Sequence, residues 1–363
     1  MIYKNIIRPV LFNFDAEEAH DLTHHFAASL AENRFILNLI GSFYNRDIPY
    51  LEQNILGLNF RNPVGLAAGF DKNGKITQII HSLGFGFTEI GSITANSSSG
   101  NARPRLFRLK DDNALINRMG LNNDGADIIV ERLKSSARPP FPIGINIAKT
   151  HDPKIIGDTA ILDYVHSFKL AQYVADYITI NISCPNTEEG KTFEDPVALN
   201  DLLTEIYKHR DEVKAIPVFV KLSADLTDED LTTLVSICEN HTVDGYVATN
   251  TSSKRDFLPH ADFQTIDRIG RGGLSGRPLL SKSMKIVRGI AKMTAFKKPI
   301  IAVGGVDSAE SAIEMIRSGA WLIQVYTGLV YEGIGLPNKI NRGISKYLRS
   351  HGLVNLEQLR QTH

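Results

Sequence analysis

VFVKLSADLTDEDLTTLVSICENHTVDGYVATNT, residues 218–251, holds one complete strand–helix–strand unit. Val218–Leu222 is a short, mostly apolar run, as a strand buried on both faces requires. Asp228, Glu229 and Asp230 then load acid onto the first turn of a helix, where negative charge favours the exposed N–H groups. Cys238 falls at a core spacing on that helix and reads as a small buried hydrophobe. Gly245–Thr249 is the next strand, and Asn250 and Thr251 follow directly.

The same unit recurs outward in both directions. Val64–Gly69, Phe85–Gly91, Ile143–Ile147, Tyr177–Ile182, Ile300–Val303 and Leu322–Tyr326 complete a set of eight β-rich runs separated by helix-length segments. Eight such strands predict an α/β chain closed as a (β/α)8 TIM barrel rather than an open sheet. A helix over Ser308–Ser318, ended by Gly319, fits the alternation. Two segments break it: the first sixty or so residues, and Ser252–Ser275, read as a lid or ligand loop.

The N-terminal segment predicts a small helical extension over residues 1–45, with the barrel over 46–363. Asp15 stands as an N-cap with Glu18 three residues on and Phe14 before it, so a helix starts near Ala16. Ala19, Leu22, Phe26, Ala27 and Leu30 form its apolar stripe, and Phe35–Ile40 supplies a second, more apolar helix. The pair is suited to docking on a barrel or on lipid.

Among the 363 residues, 43% are hydrophobic and 22% charged, enough for a core without disulfides or metal. Forty basic and forty acidic side chains cancel, and no Lys/Arg block stands out, so nucleic acid is excluded as a partner. Cys184 and Cys238 give neither a disulfide framework nor a zinc spacing, which predicts a reducing compartment. No stretch reaches the roughly 18 apolar residues of a spanning helix, and no signal peptide is read at the N-terminus.

Polar clusters gather where a barrel's catalytic loops begin. They are Ala68-Gly69-Phe70-Asp71-Lys72, Gly91-Ser92, Asn146, Asn181 through Asn186, Lys221, Thr249-Asn250-Thr251, Gly304-Gly305 and Tyr326-Thr327-Gly328. The last two follow strands seven and eight, where barrels often hold phosphate on backbone N–H groups. Lys72 and Lys221 aim cations at one mouth, while Asn117, Asn181, Asn186 and Asn250 offer amides that donate and accept, which suits a planar ring with alternating N–H and C=O groups such as a pyrimidine. Cys184, beside Pro185, could remove a proton as its thiolate.

Read together, GLAAGFDKNG (65–74), GNARPRLFR (100–108), INRMGLNN (116–123), NISCPNT (181–187), ATNT (248–251), GGLSGRPL (272–279) and VGGV (303–306) resemble the dihydroorotate dehydrogenases along almost the whole chain. The resemblance implies FMN, with its phosphate at Gly276, Gly305, Tyr326 and Thr327, and its ring near Ala68, Gly69, Phe70, Asp71, Lys72, Ser92, Asn146, Asn181, Lys221 and Thr249. It implies dihydroorotate bound by Lys72, by Asn117, Arg118, Met119, Gly120 and Leu121, and by Asn181, Asn186, Asn250 and Thr251, with orotate as product. The base position is Cys184, where quinone-linked members usually carry Ser and the soluble class using fumarate or NAD carries Cys.

DAEEAH (15–20) and the helix after it resemble the quinone-linked class, in which such helices form a membrane-facing tunnel. On that resemblance His20 and Arg108 line a quinone site, and the enzyme sits peripherally on the cytoplasmic face of the cell membrane, in contact with lipid and without an obligate protein partner. No metal is implied. A soluble-acceptor enzyme, a flavin-free barrel lyase or isomerase, and an inactive membrane-recruited scaffold are the rival readings.

Overall fold

A computed structural model describes residues 2–45, 48–183, 192–211, 215–260 and 262–362. The eight expected runs form one closed, all-parallel barrel. Its strands are β1 (Val64–Leu66), β2 (Phe87–Ile93), β3 (Ile143–Ile147), β4 (Tyr177–Asn181), β5 (Val218–Leu222), β6 (Gly245–Ala248), β7 (Ile300–Val303) and β8 (Leu322–Val325). Residue 221 pairs with 181 on one side and with 247 on the other, a register that brings the polar strand ends to a common mouth. Several strands stop one to three residues short of the predicted run, because the chain leaves the ladder where it turns into the mouth loops.

Side chains alternate along these strands. Outward residues such as Ile90, Ile145, Ile178 and Val220 pack under the surrounding helices. At the strand starts Phe87, Tyr177, Phe219, Val247, Ile301 and Leu322 fill the barrel floor, and a hairpin of Gln53–Ile55 and Leu58–Phe60 closes it with Ile55 and Phe60.

The stretch Ser252–Ser275 is not a plain loop. It contains a helix, Phe263–Ile269, and leads into strand Gly273–Gly276, which joins Ala114–Asn117 and Leu106–Leu109 in a three-stranded antiparallel sheet. The four-residue strands carry too few apolar residues to stand out by periodicity.

The N-terminal helices form as the sequence predicts. Asp15 accepts from the N–H groups of Glu17 and Glu18 to start α1 (Ala16–Ala31), and Asn33 does the same for α2 (Arg34–Tyr44). The expected apolar stripe of α1 divides, however. Ala19, Ala27 and Leu30 turn toward the barrel, while Leu22 and Phe26 are more than half exposed. A stripe this wide cannot bury both edges against a single surface.

Candidate active site

A broad cavity opens at the carboxyl ends of the strands, below the antiparallel sheet. Ala68, Gly69, Lys72, Ser92, Asn117, Met119, Gly120, Leu121, Asn181, Lys221, Thr249, Asn250, Thr251, Gly276, Gly305, Tyr326 and Thr327 all line it. The small sheet makes the roof: Asn117 at the end of one strand donates to the carbonyl of Gly273 on its neighbour at 3.1 Å. Gly305 has φ +85°, and a Cβ there would lie 2.5 Å from the backbone of Leu280, so this edge presents bare main chain.

Asn181 occupies the centre of a hydrogen-bond network. Its Nδ2 donates to Ser92 Oγ at 3.1 Å, and its Oδ1 accepts from Asn250 Nδ2 at 3.4 Å. Asn250 also donates to the Ser183 carbonyl at 2.7 Å. The Lys72 ammonium is held below its ordinary range, at about 8, by burial and by the Arg105 guanidinium, against the opposing pull of Glu17 and Asp21.

Four expected site residues stand elsewhere. Asn146 is fully buried beneath the cavity wall, bonded to Ser92 and to Glu89. Arg118 turns away, donating to the carbonyls of Ile269, Arg271 and Pro104 and stacking on Phe107, because the strand alternation that aims Asn117 and Met119 inward aims Arg118 outward. Asp71 is buried as a loop cap, accepting from the N–H groups of Lys75 and Ile76 at 2.9 Å each. Phe70 packs edge-on against both Tyr326 and His20 in a second cavity. Cys184 and Asn186 lie outside the described residues.

That second, smaller cavity lies between the N-terminal segment and the barrel. His20 and Arg108 line it together, with Phe12, Ala16, Ala19, Thr23 and Val330 making most of it apolar. Burial, with Lys72 and His24 nearby, pushes the His20 imidazole down to about 3, so it is neutral at any physiological pH. Arg108 donates to the Phe14 carbonyl at 2.8 Å and lies over the Phe12 ring. The two cavities share a wall of Leu106, Leu115 and Tyr326.

Sequence reasoning missed several wall residues. Leu106, Leu115 and Ser275 come from the unrecognised sheet, and Gln324 from the interior of β8. A glutamine inside the buried run Leu322–Val325 was the available signal, since a polar side chain inside a barrel needs a partner.

Residues 50–348 match the family model for dihydroorotate dehydrogenase. A dihydroorotate dehydrogenase (quinone) of Natronomonas pharaonis is 42% identical over 352 residues, covering 97% of this chain and 97% of that protein. One from Brucella ovis is 37% identical, covering 99% of this chain and 95% of its own. Among solved structures, a DHODH of Eimeria tenella crystallised with ferulenol superposes with a TM-score of 0.84 at 32% identity, over 95% of this chain and 94% of that one. The full-length matches and the barrel they share place the chain in the dihydroorotate dehydrogenase family.

Proposed function

We propose that the chain oxidises (S)-dihydroorotate to orotate in de novo pyrimidine biosynthesis, with FMN in the larger cavity and a membrane quinone in the smaller. The observation that carries this is the common wall of Leu106, Leu115 and Tyr326, which sets the cavity holding Lys72, Lys221 and the asparagines directly against an almost wholly apolar one.

The residues present fit a flavin. Gly276, Gly305, Tyr326 and Thr327 offer backbone for a phosphate, and Lys221 is a buried cation in the wall. The buried Gln324 Oε1 has no hydrogen-bond partner among the described residues, as expected of an acceptor awaiting a ligand N–H. Bound FMN supplies the hydride acceptor.

The remaining work falls to the chain. Lys72 pairs with the substrate carboxylate, while Asn117, Asn181, Asn186, Asn250 and Thr251 hold the ring amides so that the reacting carbons face the flavin. Cys184 Sγ takes the proton from the carbon alpha to the ring carbonyl, a role that rests on the NISCPNT motif. Lys221 offsets negative charge that builds on the ring system. His20 and Arg108 donate to the quinone carbonyls.

The protein is placed peripherally on the membrane, at its cytoplasmic face, and the apolar surface of the first 43 residues supports the membrane contact. Ile2, Val10, Leu22, Phe26, Phe35, Leu39 and Phe43 are all more than half exposed, far more clustered apolar surface than a helix in water tolerates. Among the described residues no helix is long and apolar enough to cross a membrane.

Anaerobic dihydroorotate oxidation in detergent, with a short-chain ubiquinone or fumarate in separate assays, tests the reading. Quinone preference is expected. Fumarate preference would overturn the acceptor assignment and make the second cavity structural.

A further inference from the structure

Glu89 sits on β2 with no exposed surface, inside the barrel, and the chemistry above does not use it. Three other strands reach it. Asn146 Nδ2 donates to its Oε1 at 2.7 Å, Gln324 Nε2 to its Oε2 at 2.7 Å, and the Tyr177 hydroxyl to the same oxygen at 3.4 Å. A carboxylate accepts and cannot donate, so each amide must present its N–H end to Glu89 and its carbonyl end elsewhere.

Two consequences reach the cavity. Asn146 Oδ1 accepts from Ser92 Oγ, Ser92 Oγ accepts from Asn181 Nδ2, and Asn181 Oδ1 accepts from Asn250 Nδ2. Every bond in the chain from Asn250 to Glu89 therefore runs in one direction. On the other branch, Gln324 lines the cavity and is 1% exposed, and its Oε1 is the end left without a partner. A buried acceptor in that position costs stability unless a ligand N–H meets it.

We infer that Glu89 is a positioning residue that fixes the donor and acceptor polarity of the cavity. It turns the Gln324 carbonyl toward a ring imide N–H of the bound flavin, and it orients the Asn181 and Asn250 amides toward the substrate ring. The inference rests on the flavin reading proposed above. Glutamine at this position offers one acceptor and one donor end. One of the two amides must then reverse, presenting N–H where the ligand's own N–H arrives or breaking the chain at Ser92.

The experiment compares purified holoproteins: parent, Glu89→Gln, Gln324→Leu and the double variant. Flavin retention is read from fluorescence released on dilution, orotate affinity from its perturbation of the flavin absorbance, and folding from the thermal midpoint. Glu89→Gln is expected to weaken flavin or orotate binding, according to whether the Gln324 or the Asn146 amide reverses, by about tenfold or more, the size of one lost buried hydrogen bond. Gln324→Leu is expected to weaken flavin retention by about as much and to leave orotate affinity within about twofold. In the double variant the flavin loss should be no greater than in Gln324→Leu alone, since Glu89 acts there through Gln324.

Flavin and orotate affinities within about twofold of the parent in Glu89→Gln overturn the inference, as do flavin losses that simply add. Should Glu89→Gln fail to fold, Gln324→Leu decides alone, and undiminished flavin retention refutes the assignment. A parent protein that carries no flavin refutes the underlying reading instead, and this inference with it.

Discussion

Glu17 on α1 and Arg105, just before strand Leu106–Leu109, form a buried ion pair at 2.8 Å, with Arg105 Nε reaching both carboxylate oxygens at 3.0 and 3.1 Å. The remaining Arg105 nitrogen donates to the carbonyls of Ser99 and Asn101 at 2.6 and 2.8 Å, and weakly to Met119. One guanidinium thus ties the helix that walls the second cavity to the loop that leads into strand Leu106–Leu109 of the roof sheet.

Removing it leaves the buried Glu17 carboxylate with only the exposed Arg103 guanidinium as a cation partner. Arg105→Ala is expected to destabilise the fold by up to about 3–5 kcal/mol, the cost of breaking a buried ion pair. Arg103 contacts the same Glu17 oxygen at 3.0 Å but is more than half exposed and screened by solvent, so Arg103→Ala should cost far less. Thermal unfolding of the two variants separates them, and equal losses would show that the Arg105 pair carries no special weight.

Lys72 gives the substrate site a pH dependence with a definite sign. Its ammonium titrates at about 8 in the free protein, so the cation is present below that pH and is lost above it. Orotate affinity should be flat on the acid side and weaken as pH rises through about 8. Lys72→Gln should bind orotate roughly 10- to 100-fold more weakly and without that limb, since one charge-assisted hydrogen bond is gone. Titration of the flavin absorbance from pH 6 to 10 checks both, and a limb that survives in Lys72→Gln assigns it to another group.

His20 predicts the opposite behaviour in the second cavity. With its imidazole pushed down to about 3, it stays neutral and donates through a single ring N–H, so no protonation step affects quinone binding near neutrality. The KM for a short-chain ubiquinone should be level from pH 5 to 8. His20→Ala should raise that KM by about tenfold, as for a lost neutral hydrogen bond in an apolar site, and leave dihydroorotate reduction of the flavin unchanged. A KM that rises on acidification would mean the imidazole titrates normally.

The barrel was legible because its strands are buried on both faces. Runs such as IGINI and YITIN, 143–147 and 177–181, carry no exposed positions to blur them, and Pro142 marks the start of the first. The mouth sheet was not legible, since Leu106–Leu109, Ala114–Asn117 and Gly273–Gly276 are four residues long and mix ligand-facing polar groups with core ones. Motif adjacency could not tell Lys72 and Asn117, which line the cavity, from Asp71 and Arg118, whose side chains the local backbone turns elsewhere. Glu89 and Gln324 were visible as polar residues inside apolar strands, yet their pairing needs four strands brought together.

Cys184 supplies the remaining prediction. A thiol titrates near pH 8.5 and an alcohol far higher, so the basic form of this residue becomes populated within the experimental range only when it is cysteine. The rate at which dihydroorotate bleaches the flavin should therefore rise with pH and level off as the thiolate fills. In Cys184→Ser the rise should move to higher pH without a plateau, and the rate near pH 7 should fall by roughly 100-fold if the serine acquires no other base. Anaerobic stopped-flow over pH 6 to 10 reads the profile directly. Because Lys72 loses its charge near the same pH, the comparison is made at saturating substrate, where its contribution to binding drops out. Superimposable profiles for the two proteins would remove Cys184 from the proton transfer.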